Sequence, residues 1–406
     1  MRIEIPQKVD NIIEALTEAG FEAYAVGGCV RDVILGRIPN DWDITTSAKP
    51  LEIKKCFSRT IDTGIKHGTV TVMMGKAGFE VTTYRIDGEY EDARHPKEVT
   101  FCTDLHEDLL RRDFTINAMA YNHKDGLVDI FGGQQDMDRK LIRCVGEATE
   151  RFTEDALRMM RAVRFSAQLG YTIEEKTGEA IRQLAPNLKK ISAERVREEL
   201  TKLLESPNPS FIEKAHEYGI TKIVLPEWDE KVEDGKALRI MKALEASDPD
   251  KLIRYTILFD GDAEEAMVVL RRLKFDNDTI TKVRKLSASL YKPISANEVS
   301  IRKTASLLGR ELFLTLLKIQ AAIADATKGK QALFSEEEIK KTDMLFRMIA
   351  KRGDCLALKE LAVTGGDLIE CGMKPGKEVG EVLQKLLEIV LEHPEQNTKE
   401  FLLTQI

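Results

Sequence analysis

The chain has 406 residues, 43% of them hydrophobic and 32% charged, with a formal net charge of −7. That length allows roughly two to four domains, no apolar run is long enough for a membrane span, and Met1-Arg2-Ile3-Glu4-Ile5-Pro6 lacks the apolar core of a signal peptide, so a cytoplasmic protein with no membrane partner is expected. The six scattered cysteines include no Cys-x-x-Cys pair, which argues against a zinc module or a disulfide framework, and the acidic balance argues against a dedicated nucleic-acid module while leaving room for a local basic track.

In chain order, Val9, Ile12, Ile13 and Leu16 recur at helical spacing, so a helix is expected over Lys8 to Glu18. Ala23 to Val26 reads as a short strand entering the turn Gly27-Gly28. A helix follows over Asp32 to Leu35 and stops at Gly36. Ile38 to Thr45 reads as a strand carrying Asp41 and Asp43, and Pro50 to Phe57 as a helix. The β-branched run Thr69 to Met74 and the segment Phe79 to Arg85 flank Gly75 to Gly78 as a hairpin. This mixed pattern ends near Cys144. From Glu147 to Ile406 strand signals vanish and helical periodicity dominates, broken by prolines such as Pro186, Pro226 and Pro375. An α/β head followed by an all-α remainder is the expected architecture, with no internal repeat.

The densest chemistry lies in Val26-Gly27-Gly28-Cys29-Val30-Arg31-Asp32 and Asp41-Trp42-Asp43. Alternate strand residues share a face, so Asp41 and Asp43 point the same way and repel each other unless a cation sits between them. Hard oxygen ligands with open positions suit Mg²⁺. The glycine turn lets backbone N–H groups approach an anion and Arg31 clamps it. Glu80 lies on the strand expected to flank this pair; it reads either as a third carboxylate of the site or as a charge on the polar face of a hairpin. In Arg111-Arg112-Asp113-Phe114-Thr115-Ile116-Asn117-Ala118 the arginines offer forked donors, and Asp113 and Asn117 share a face if the segment is helical.

Arg151 to Phe165 should be one helix in which Asp155 and Arg158 are neighbours. Exposed, that pair is an ordinary intrahelical ion pair. Yet Leu157, Met159, Met160, Ala162, Val163 and Phe165 make the helix apolar on several sides, and charges in a buried helix need a reason. An Asp acceptor beside an Arg donor matches cytosine and adenine, which present an amine next to a ring-nitrogen acceptor, and rejects uracil and guanine. Arg161 and Arg164 cannot share that face and suit phosphate or sugar contacts. Ser192 reads as the N-cap of the next helix, with Glu194 and Arg197 buttressing the first.

These motifs resemble those of the DNA polymerase beta superfamily, and more closely the branch (class II) that holds bacterial tRNA CCA-adding enzymes and poly(A) polymerases. The resemblance is nearly full-length, although Asn208 to Glu360 contributes little to it. It implies a nucleotidyltransferase head over residues 1–145, a helical neck with the nucleotide-selecting helix over 146–206, a helical body over 207–300 and a tRNA-binding tail over 301–406. It implies addition of CCA to a tRNA 3′ end from CTP and ATP with Mg²⁺. By this resemblance Asp41 and Asp43 hold metal; Glu80 joins them in catalysis; and Gly28, Arg31, Arg112, Asp113, Asn117, Asp155, Arg158, Arg161 and Arg164 bind nucleotide. The polar stretch from Asp87 to Pro96 is similar to the family's loop that switches C to A addition, and its completeness argues against a CC-only enzyme. Near the C-terminus, Lys374 and Lys377 in a Gly/Lys turn are similar to a tail element that holds RNA phosphate. An enzyme that adds only A to tRNA ending in CC carries nearly the same motifs; a poly(A) polymerase departs at Asp62 to Thr69.

Overall fold

The computed structural model describes residues 3–87, 99–328 and 333–406. It divides into two compact units, Met1–Asp229 and Glu230–Ile406.

In the first unit, helix α1 (Gln7–Glu18) buries Val9, Ile12, Ile13 and Leu16 along one stripe. Strand β1 (Ala23–Val26) follows and is buried at all four residues, as befits a central strand. Helix α2 (Gly28–Ile34) leads to β2 (Asp43–Thr46), then α3 (Pro50–Cys56), β3 (Thr60–Gly64), β4 (Thr69–Met74) and β5 (Ala77–Thr83). A short pair, β6 (Arg85–Asp87) and β7 (Val99–Phe101), precedes α4 (Leu105–Leu110), β8 (Ala120–Asn122), β9 (Gly126–Val128) and α5 (Gly133–Asp138). Seven of these strands form a sheet in the order β3-β4-β5-β2-β1-β8-β9, in which only β2 and β5 run parallel. In that pairing Asp43 lies opposite Glu80, so the two side chains share a face of the sheet. Tyr24, Val26, Tyr84, Leu109, Ala120 and Val145 pack into one core cluster against the sheet.

Four expectations need correction. The Asp41/Asp43 strand begins only at Asp43. Pro39 lacks the N–H that a ladder needs, so residues 35–42 form a connecting loop and Asp41 sits on it. The segment Arg111–Ala118 is no α-helix: α4 ends at Leu110, Phe114 bridges Cys144 in extended conformation, and only Thr115–Asn117 forms a 3-10 turn. The long helix breaks at Asp155, whose φ of −139° and ψ of 101° are extended. Its carboxylate takes the Leu157 N–H at 3.1 Å, a local bond that ends α6 (Ala148–Glu154) and starts α7 (Leu157–Leu169). Strand pairing also returns after Cys144, where β11 (Thr172–Ile173) runs parallel to β10 (Leu141–Ile142). The stretch Gly88 to Pro96, expected to be the C-to-A switching loop, lies outside the described residues.

Helix α8 (Glu175–Leu184) packs beside α6, and α9 (Ala193–Leu204) beside α7. Ser192 holds the N-cap position of α9, but its side chain makes no capping bond.

The second unit is helical from Ala237–Ala246 through Lys399–Leu403. Its helix starts are written in the sequence: Asp250, Asp262, Asp276, Asn297, Ser335, Thr364 and Thr398 each accept an N–H from the first turn. Lys374 and Lys377 are exposed, Lys377 opening the helix Lys377–Glu392. Among the described residues no helix is long and apolar enough to cross a membrane.

Candidate active site

The turn between β1 and α2, the loop before β2, the 111–117 segment and the facing sides of α7 and α9 enclose a cleft of about 1030 Å³ in the first unit. Nine Arg or Lys residues and six carboxylates line it, so an acidic chain carries a locally basic cleft.

One corner holds Asp41 and Asp43. Both are open to the cleft. Neither carboxylate has an ion-pair or hydrogen-bond partner among the described residues, although nine cations line the same cavity. Burial lifts Asp43 above the usual carboxylate range; the Arg112 charge opposes this and the Asp41 charge adds to it. Two close, unneutralised carboxylates are the donor set a hard divalent cation takes. Among the described residues no three such ligands gather in one place, so remaining positions on a cation here would be filled by substrate oxygens and water. Glu80 is the register neighbour of Asp43 but does not line the cleft.

The glycine turn beside this corner is shaped by Gly27 more than by Gly28. Gly27 has φ 82° and ψ −132°, a region open to glycine almost alone, and a Cβ there would stand 3.0 Å from Arg112 Nη1. At Gly28 a Cβ would meet Arg31 Nη2 at an ordinary 3.6 Å. Arg31 donates to Asn117 Oδ1 at 2.6 Å and to Asp32 Oδ1 at 2.9 Å, tying α2 to the 3-10 turn. Asn117 in turn donates to Asp113 Oδ1 at 3.1 Å. The expected Asp113–Asn117 pairing therefore exists without an α-helix, because the extended Phe114 gives its own N–H to Asp113 at 2.9 Å. Arg161 closes the chain on Asp113 Oδ2 at 2.6 Å. Burial alone would raise the Asp113 carboxyl, but Arg161 and Asn117 overrule it and hold it at about 2.

Arg111 and Arg112 are aimed by Asp108, a fully buried carboxylate. Asp108 accepts from Arg111 at 2.7 Å, from Arg112 at 3.2 Å and from Thr45 on β2 at 3.0 Å. Burial opposes its ionisation, yet the two guanidinium groups hold its carboxyl below the usual range. Arg112 Nε is buried without a partner, which leaves that N–H facing an unmet demand.

On the opposite wall Asp155 and Arg158 do not pair with each other. Asp155 is gripped by Arg195 of α9 at 2.7 and 3.1 Å. Arg158 donates to Glu154 at 2.7 Å and to the carbonyls of Arg111 and Arg151 at 2.8 and 3.3 Å. A carboxylate has about four acceptor positions and a guanidinium five donors. Asp155 thus retains one acceptor position, and Arg158 retains Nε–H and one Nη2–H. Arg164 is ion-paired to Glu199 at 2.6 Å and lies over the Phe165 ring at 3.8 Å; burial lowers its pKa to about 10. Arg31 and Arg161 stand 5.1 and 5.3 Å from the same ring, which gives three guanidinium groups a common platform.

Comparison with known proteins sets this cleft in a lineage. Residues 23–143 match the Poly A polymerase head domain, 170–232 the probable RNA and SrmB-binding site of polymerase A, and 250–406 the putative tRNA nucleotidyltransferase domain 2. The chain is 38% identical to the CCA-adding enzyme of Lactobacillus delbrueckii subsp. bulgaricus over 391 residues, covering 96% of this chain and 94% of that one. It is also 38% identical to the CCA-adding enzyme of Lactiplantibacillus plantarum, over 98% of this chain and 95% of the relative. The crystal structure of the Bacillus stearothermophilus CCA-adding enzyme in complex with CTP superposes with a TM-score of 0.81 at 33% identity, covering 98% and 97% of the two chains. The chain belongs to the CCA-adding enzyme family.

Within this member of the CCA-adding family, every head and neck residue assigned from sequence to metal or nucleotide lines this cleft, while Glu80 and the neck residues Ser192, Glu194 and Arg197 do not. Lys374 and Lys377 lie in the second unit. Four residues that organise the cleft were not anticipated: Asp108, Arg195, Glu199 and Phe165. Arg195 and Glu199 stand four apart on α9, beside its buried stripe Val196, Leu200 and Leu203. That stripe could have pointed to them in place of Glu194, which is exposed. Asp108 carried no sequence signal, because a lone Asp in a short helix ordinarily faces water.

Proposed function

We propose that this protein adds C, C and A to the 3′ end of tRNA from CTP and ATP, without a nucleic-acid template, releasing pyrophosphate. One observation carries the reading. A pair of unneutralised carboxylates and a wall with one free acceptor and two free donors open on the same cleft. The near full-length identity to enzymes named CCA-adding and the likeness to one solved with CTP support it.

Asp41 and Asp43 would hold Mg²⁺; Glu80, beside Asp43 across the β2–β5 pairing but outside the cleft lining, would add its negative charge to that corner. The ion supplies positive charge that favours loss of the 3′-hydroxyl proton and neutralises the triphosphate. Arg31, Arg112 and the Gly28 amide bind the triphosphate. Asp113 and Asn117 hold the ribose edge by way of the Arg161 bridge. Asp155 accepts the exocyclic amine that cytosine and adenine share, and Arg158 donates to the adjoining ring nitrogen. Uracil and guanine present a donor where Arg158 donates and an acceptor where Asp155 accepts, and are rejected. Arg195 keeps Asp155 aimed. Arg164 contacts phosphate or sugar from its place on Phe165.

This reading divides the chain into head (1–145), neck (146–206), body (207–300) and tail (301–406), with Lys374 and Lys377 touching RNA phosphate. Its tRNA and nucleotide substrates put it to work in the cytoplasm.

The test is addition to tRNA ending at the discriminator base, at C and at CC, with CTP and ATP supplied singly and together. Growth of the shortest substrate by CCA, followed by arrest, is expected. Extension of only the CC-ending substrate by one A would make it an A-adding enzyme, and a long A ladder a poly(A) polymerase.

A further inference from the structure

Seven of the nine cations lining the cleft are held by the carboxylates described above. Two are not. Arg37 and Lys202 are exposed, and neither side chain has a carboxylate or hydrogen-bond partner among the described residues. Next to Arg37 stands Ile38, 94% exposed, the most exposed large hydrophobic side chain among the described residues. A scattered surface isoleucine needs no explanation. This one lines a cleft beside an unpaired cation, on the loop that delivers Asp41.

The covalent distance fixes where it sits. Asp41 lies three chain steps beyond Ile38, and a chain extends at most about 3.6 Å per residue, so their Cα atoms lie within roughly 11 Å. Gly36, at φ 69°, ends α2 and starts the loop; Pro39 stiffens it.

Nucleotidyl transfer needs two substrates in one cleft. The inner guanidinium groups, already oriented by Asp108, Asn117 and Asp113, serve the triphosphate. The acceptor's 3′-hydroxyl must reach the same phosphorus, so its last nucleotides lie along the lip beside Asp41. Single-stranded ends are held by an apolar surface that accepts any base, together with cations that follow the phosphates.

Building on the nucleotidyl-transfer reading of this cleft, we propose that Arg37 and Ile38 form the seat of the acceptor strand: Ile38 packs against the terminal base or ribose, and Arg37 holds the phosphate behind it. Lys202, on α9, is the second phosphate contact. These residues grip RNA and leave the incoming nucleotide alone.

The experiment is steady-state addition of C to a tRNA transcript ending in C, varying RNA at saturating CTP and then CTP at saturating RNA, with CTP binding measured calorimetrically in the absence of RNA. Arg37→Ala should raise KM for RNA roughly tenfold and reduce the slope of log affinity against log salt by about 1. Ile38→Ser should raise it roughly fivefold, the low end for losing a stacking contact, and Ile38→Leu should restore it. CTP binding should be unchanged in all of them. The inference is overturned if RNA KM stays at the wild-type value in both Arg37→Ala and Ile38→Ser, or if CTP affinity falls in parallel. Failure of the wild-type enzyme to extend any tRNA would overturn the nucleotidyl-transfer reading and this inference with it. A wild type that extends tRNA with variants that match it would overturn this inference alone.

Discussion

The two sides of the cleft handle charge in opposite ways. At the catalytic corner, Asp41 and Asp43 face each other's field with no ion-paired cation among the described residues, only the more distant charge of Arg112 acting on Asp43. On the selecting wall, Asp113 and Asp155 are each met by a guanidinium, Arg161 and Arg195, at 2.6 and 2.7 Å. The corner is left incomplete for a metal and a triphosphate to finish. The wall is complete before substrate arrives, so its donors and acceptors keep their directions when a base is offered. Reading a base by hydrogen bonds needs that rigidity; binding a cation needs the opposite, a site whose repulsion the ligand relieves.

The largest way to break this contrast is at the corner. Asp41→Asn or Asp43→Asn should lower kcat by about 10³ or more, because the metal's contribution is lost. Its melting temperature should stay level or rise, since the change removes repulsion and no partner. A variant that loses activity and stability together would mean the pair is structural.

Next in size is Gly27→Ala, which forces a Cβ into a glycine-only conformation beside Arg112. It should cost about 1–3 kcal/mol in urea unfolding and raise KM for CTP. Gly28→Ala, with ordinary clearance, should cost far less, so the pair separates backbone strain from loss of a glycine.

The wall should show its pre-paired state in acid. Asp113 has a folded pKa of about 2, below the ordinary carboxylate value of 3.8. A depressed folded pKa contributes stability that is fully present above the unfolded value and lost as pH falls through the folded one. Between pH 4 and pH 2 the protein should therefore lose about 2 kcal/mol from this group. Asp113→Asn should be less stable at pH 6 and should lack this increment of acid sensitivity; equal acid slopes for the two proteins would contradict the pairing.

The smallest effect is expected from Phe165→Leu, which removes the ring beneath Arg164, Arg31 and Arg161. About 1 kcal/mol of stability should go, with KM for nucleotide rising more than kcat falls.

How far the sequence reached follows from the range of the interactions. Short-range signals were legible. The stripe of α1, the hairpin of β4 and β5 and the glycine turn each rest on neighbours a few residues apart, and the structure has them. The motif residues were legible as chemistry, yet their partners were misjudged. Asp155 and Arg158 read as a pair because helix geometry puts residues three apart together. A single side chain-to-backbone bond, from Leu157 N–H to Asp155, breaks that helix and hands Asp155 to Arg195, forty residues on. Asp108 was invisible for the same reason: its importance lies in Thr45, sixty-three residues earlier, and in its burial. Pairings across the fold leave no local trace in a single sequence.

The most direct test of the account is incorporation by Asp155→Ala, on tRNA ending in C, with CTP, UTP, ATP and GTP each supplied alone. The account predicts that the variant still folds and transfers nucleotide but no longer separates C and A from U and G. A variant that still chooses C and A as cleanly as the wild type would contradict it, and the selecting wall would have to be sought elsewhere in the cleft.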